Sequence, residues 1–147
     1  MGLDMYLESE HYIFGKEAKA TVEITHHNGE KETREFDVTS GKIVTKIGYW
    51  RKANAIHKWF VDNVQNGEDD CGRYYVDIDD MERLKSLCEE VLEQPEKAKE
   101  LLPPCSGFFF GSTEIGDDYF QDLHDTIKII NNVLENEDGD IYYRASW

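Results

Sequence analysis

The hydrophobic period of this chain changes once, near Tyr49, and that change limits the fold more than any other feature. Before it, Ala20, Val22 and Ile24 alternate with Thr21, Glu23 and Thr25, the period of a strand with one face buried. Asn28-Gly29 follows as the positive-φ pair of a tight hairpin, with Phe36 and Val38 on the returning strand. Residues 3–8 predict a further short strand, and Ile43, Thr45 and Ile47 another, ended by Gly48. From Tyr49, residues Ala53, Ile56, Phe60 and Val64 recur at helical spacing until Asn66-Gly67 stops them.

The second half continues in the helical period. Tyr74 to Asp77 predicts one strand, and Asp79 with Glu82 three residues on predicts the cap of a helix burying Leu84, Leu87, Cys88 and Val91. Pro95 opens a turn or two that ends before Pro103-Pro104. A last helix is predicted from Asp118, with Gln121 in the reciprocal position and Phe120, Leu123, Ile127, Ile130 and Leu134 buried. Ile141 to Arg144 is a candidate closing strand. Strands followed by helices without βαβ alternation give an α+β class. The expectation is a small antiparallel sheet with an N-terminal hairpin, packed against helices near 50–65, 80–93 and 118–134, in a single domain over 1–147.

Composition enters through charge. Leu, Ile, Val and Phe make up 35 of 147 residues, enough for a core despite the charge. Acids outnumber bases 31 to 16, which argues against direct binding to a nucleic-acid backbone. No apolar run reaches membrane-spanning length. The N-terminus has neither the basic region of a signal peptide nor the Ser or Thr of a myristoylation site. Three widely spaced cysteines point to reduced thiols in a cytoplasm.

The charge is unevenly placed. Residues 1–61 carry nine acids and nine bases, so the whole net charge of −15 falls in 62–147. The 24 residues between Asp37 and Asp62 contain no acid, yet include Lys42, Lys46, Arg51, Lys52 and Lys58. Leu101 to Thr113 contains no charge at all.

These two acid-free segments carry the candidate site. Arg51 and Lys52 fall in the first turn predicted for a helix beginning near Trp50, where free N–H groups and cations together suit an anion. Trp50, Asn54 and His57 add a ring, an amide and an imidazole on one flank. The plainer alternative is that later acids pair with these bases and Trp50 simply packs. Ser106 to Thr113 encloses three Phe between Gly107 and Gly111 and ends in Ser112 and Thr113. It reads as a buried strand, or as a strand with a ligand-lining loop. The two segments are expected to line one pocket. Cys71, Cys88 and Cys105 lack the spacing of a zinc site, and Glu68-Asp69-Asp70 lacks that of a calcium loop. His57, His124, Asp117 and Ser112 are the residues from which a hydrolytic set could assemble.

Gly48–His57 with Trp59-Phe60 resembles a signature of a family of small uncharacterised proteins found in bacteriophages and prophages. Met1–Tyr6, Asp69–Gly72 with Tyr74-Tyr75-Val76, Gly107–Thr113 and Ser146-Trp147 extend the resemblance. It implies a cytoplasmic protein acting in an infected or lysogenic bacterium and brings no activity with it.

The leading expectation is a non-enzymatic binder of a small anionic, nucleotide-like ligand through Trp50, Arg51, Lys52, Asn54, His57, Gly107, Gly111, Ser112 and Thr113. The alternatives are an acidic interaction or nucleic-acid-mimic protein acting on a host factor, and a small hydrolase. No cofactor, metal or membrane partner is expected, and the oligomeric state is open.

Overall fold

The computed structural model describes residues 2–107 and 109–147, and the side chains of 14–17 are not described. Met1 of the opening block and Phe108 of the three-Phe run therefore lie outside the described residues. The elements are β1 (Asp4–Thr25), β2 (Lys31–Arg51), α1 (Asn54–Asn63), β3 (Arg73–Val76), α2 (Ile78–Glu93), α3 (Ala98–Leu101), α4 (Asp117–Asn136) and β4 (Asp140–Ser146). A 3₁₀ turn, Pro95–Lys97, leads into α3. The four strands form one antiparallel sheet in the order β2-β1-β4-β3. The class is α+β.

One face of the sheet holds the core. Leu3 just before β1, Met5 and Leu7 of β1, and Ile141, Tyr143 and Ala145 of β4 alternate inward and are buried, as period 2 requires of a face covered on one side. Against them pack Ile56 and Phe60 of α1, Met81, Leu84, Cys88 and Val91 of α2, and Leu123, Ile130 and Val133 of α4. Phe60 stacks on Tyr143 at 3.8 Å between ring centroids. Gly48 lets β2 approach α4: a Cβ there would stand 2.7 Å from Ile129 Cγ2. The opposite face is tied by charge. Glu8 accepts from Arg73 (2.9 Å) and Arg144 (2.7 Å), while Arg73 lies over Tyr142 and Arg144 over Tyr6. Burial works to raise the Glu8 pKa, but these two guanidiniums outweigh it and hold the carboxyl below its usual value.

The N-terminal hairpin packs against the helices at its base, where Gly48 of β2 meets Ile129 of α4. β4 pairs with β1 from Asp4 to Glu10, and beyond Glu10 the hairpin continues as a two-stranded arm to its turn at His26–Glu30. The segments expected as separate strands on either side of Ser40-Gly41 are one strand, β2. Helix α1 begins at Asn54, because Tyr49 to Arg51 still belong to β2. The cap of α2 is Asp77, whose carboxylate accepts from Asp79 N–H, so the predicted capping residue is the one being capped. The described residues of Gly107–Thr113 form a loop and not a strand: Phe109 (φ 63°) and Gly111 (φ 91°) both leave extended conformation.

Candidate functional site

The site begins at the joint between β2 and α1. Arg51 ends the strand, and Lys52 adopts φ 59° with its N–H donating to the Leu3 carbonyl at 2.8 Å. The two cations thus precede the helix and do not occupy its first turn, a correction to the sequence expectation. The capping residue is Ala53, which offers no side-chain acceptor. The N–H groups of Ala55 and Ile56 consequently have no acceptor among the described residues. Arg51 and Lys52 are both exposed, and neither forms an ion pair among the described residues, in a chain with 31 acids. The plainer alternative, pairing with later acids, is not what the structure has.

Asn54 holds the second segment in place. Its Nδ2 donates to the carbonyls of Phe110 (3.1 Å) and Ser112 (2.9 Å), and its Oδ1 accepts from the Cys105 N–H at 3.0 Å. The loop can come this close because of Gly111. Its φ of 91° suits glycine, and a Cβ there would stand 3.1 Å from Lys52 Cβ. Ser112 Oγ accepts from the Glu114 N–H at 3.1 Å, turning the chain towards α4.

The third wall is the start of α4. Gly116 caps it with no side chain, and the N–H groups of Asp117, Asp118 and Tyr119 have no acceptor among the described residues. Two helix N-termini without side-chain caps therefore face one cleft of about 580 Å³, together with Arg51, Lys52, Gly111 and Ser112. The cleft also holds Glu114, Asp117, Asp118 and Asp122. Asp117 and Asp118 are exposed and sit in the first turn of α4, where they favour that helix's own dipole. Asp122 differs: burial, then the neighbouring charges of Asp125 and Asp118, push its pKa up to about 7. The charge of the cleft therefore changes across neutral pH.

The remaining candidates lie elsewhere. Trp50 is a core residue, its indole donating to Thr126 Oγ1 at 2.9 Å and its ring edge-on to Phe60. His57 is buried, with Nδ1 2.7 Å from the Tyr143 hydroxyl and Nε2 3.0 Å from Asp69 Oδ2. Asp69 Oδ1 in turn accepts from the Trp147 indole at 3.0 Å. Burial and the Asp69 charge raise the Tyr143 pKa well above its usual value, so its hydroxyl stays protonated. Gly107 packs over the Phe110 ring, and Thr113 lines a neighbouring recess with Lys99, Pro104 and Ile115. His124 faces the groove between β2 and α4. The residues of the possible hydrolytic set thus fall in three separate places, with only Asp117 and Ser112 in the cleft.

Sequence reading missed Asp122 and the role of Asn54 as a clamp. The row Asp118, Asp122, Asp125 on one helix side was the available signal for the first. Among the described residues no group of three or more His, Cys, Asp or Glu is placed to hold a metal ion, and no helix is long and apolar enough to cross a membrane. Comparison of the chain with protein-family models, with curated proteins and with solved structures finds no match.

Proposed function

We propose that this protein binds a small anionic ligand, of nucleotide-like size and charge, in the cleft between the starts of α1 and α4, and that it acts by binding and not by catalysis. One observation carries the reading: two helix N-termini without side-chain caps converge on two cations that form no ion pair among the described residues. Free N–H groups at a helix start bind anions through hydrogen bonds and the helix dipole together. The cleft volume of about 580 Å³ falls within the range of small-molecule sites. Arg51 and Lys52 are the charge partners of the ligand, Gly111 and the backbone beside Ser112 its close neighbours, and Asn54 the residue that shapes the site. Protonated Asp122 donates a hydrogen bond to the anion; ionised, it repels it. The resemblance to bacteriophage and prophage proteins makes the cytoplasm of a bacterial host the setting of this reading.

The direct test is native mass spectrometry of freshly purified protein. A co-purified anion that survives in the wild type and is lost from Arg51→Ala/Lys52→Ala supports the proposal. Apo protein that also fails to take up added adenosine monophosphate or sulfate contradicts it.

A second reading, an acidic protein docking on a basic host factor or mimicking nucleic acid, draws on the exposed carboxylates of α2 and α4. Asp79, Glu82, Glu89 and Glu93 stand on the first helix, and Asp118, Asp125 and Glu135 on the second. Retention of a basic host protein by the wild type, lost at high salt, would favour it.

A further inference from the structure

The arm formed by β1 and β2 beyond Glu10 has one apolar face that no part of the described chain covers. Cross-strand pairing sets Ala18 opposite Val38, Ala20 opposite Phe36, Val22 opposite Arg34 and Ile24 opposite Glu32. These pairs lie in one row on one face, since side chains two apart along a strand share a side. The other face carries Lys19 with Asp37, Thr21 with Glu35, and Glu23 with Thr33. Val22 is 43% exposed and Phe36 49% exposed. A two-stranded ribbon is marginal in water without a third strand or a covering layer.

We propose that the covering layer is the same face of a second copy of this chain. Charge points to that occupant. Residues 11–46 hold six acids and six bases, so the arm is neutral, while the rest of the chain carries the entire −15. Two copies meeting through their bodies bring like charge together; two copies meeting through their arms do not. From His11 to Thr25 the arm extends roughly 50 Å, several Debye lengths at physiological salt. Antiparallel arms can therefore overlap while the acidic bodies stay screened from each other.

The polar residues on the face fit the same arrangement. Glu32 and Arg34, joined at 2.7 Å within the strand, are of opposite sign and adjacent in the row. A two-fold pairing sets Glu32 of one copy beside Arg34 of the other, and the reverse, as an isologous contact requires. With the two-fold axis level with Thr33 and Glu23, the arms overlap over roughly 30 Å, so two ribbons about 10 Å wide cover roughly 600 Å² between them, the area of a weak, transient contact. The dimer is thus reversible and concentration-dependent. It does not involve the cleft, so it stands or falls separately from the ligand reading.

Sedimentation velocity over about 1 to 200 µM tests it. The wild type shifts from monomer to dimer across that range, Val22→Glu/Phe36→Glu weakens the association at least about tenfold, and Thr21→Lys on the polar face leaves it within about twofold. In a Cys71→Ser/Cys105→Ser background, Val22→Cys, beside the two-fold axis on the apolar face, is joined between two copies by a short bis-maleimide, and Glu23→Cys on the polar face is not, which reads the pairing even where the double variant loosens the arm. A wild type that stays monomeric throughout, including one whose arm is covered only by a different protein, overturns the proposal. So does a dimer equally tight in Val22→Glu/Phe36→Glu.

Discussion

Asn54 Nδ2 donates to the Ser112 carbonyl at 2.9 Å, so the first residue of α1 fixes the loop that walls the opposite side of the cleft. The same amide group also engages Phe110 O and Cys105 N–H. Asn54→Ala leaves three backbone groups without this partner, two of them carbonyls and one an N–H. An expected loss of about 2 kcal/mol, with anion affinity falling as the loop loosens, follows from the cost of unmade buried hydrogen bonds. Chemical denaturation measures the first and calorimetric titration the second.

Asp122 gives a pH dependence with a defined sign. Its folded pKa, about 7, lies above the usual carboxyl value of 3.8. The contribution to stability is therefore fully present below about 3.8 and is lost as pH rises through about 7. Asp122→Asn removes this loss: at pH 8 the variant is more stable than the wild type by about 1–2 kcal/mol, a range discounted for partial solvent exposure, and at pH 4 the difference closes. Thermal melts at the two pH values check it. Sulfate, whose charge is constant over this range, binds more tightly to the wild type as pH falls through 7, and the variant shows a flatter profile.

Gly48 tests the packing of the sheet on α4. In Gly48→Ala the new methyl meets Ile129 Cγ2 at 2.7 Å and Leu7 Cβ at 3.1 Å, a clash expected to cost about 1–3 kcal/mol. Ile129→Ala in the same chain removes the nearer contact, so the double variant is more stable than the sum of the two single losses predicts.

His57 tests the buried polar chain. Tyr143→Phe keeps the stack on Phe60 and removes only the hydroxyl that meets His57 Nδ1. Leaving that ring nitrogen buried and unpaired costs about 1–3 kcal/mol, read from the denaturation midpoint. Anion binding stays unchanged, because neither residue lines the cleft.

The periods in the sequence were sufficient for the α+β class, because alternation and helical spacing directly reflect which faces are buried. They were insufficient at joints. Lys52 takes a left-handed conformation that nothing in its side chain announces, and this shifts the start of α1 past both cations. Phe36-Val38 and Ile43-Ile47 are expected as separate strands, yet the pairing with β1 runs from one into the other through Ser40 and Gly41. Gln121 was read as reaching back to cap α4, but it donates forward to Asp125 at 3.0 Å, leaving the start of the helix uncapped. The convergence of Arg51, Lys52, Asn54, Gly111 and Ser112 was legible from the shared absence of acids. The carboxylates of α4 beside them were not, because their arrival depends on how α4 packs across the sheet.

The central claim, an anion held between the starts of α1 and α4, is tested most directly by calorimetric titration of adenosine monophosphate at pH 6 into the wild type and into Arg51→Ala/Lys52→Ala. The account predicts saturable one-to-one binding to the wild type and at least about tenfold weaker binding to the variant, a difference of about 1.4 kcal/mol or more. Because both side chains are exposed and form no ion pair among the described residues, the melting temperature of the variant stays within about 2 °C of the wild type. No saturable binding to the wild type, or equal affinity in the two proteins, would contradict the claim.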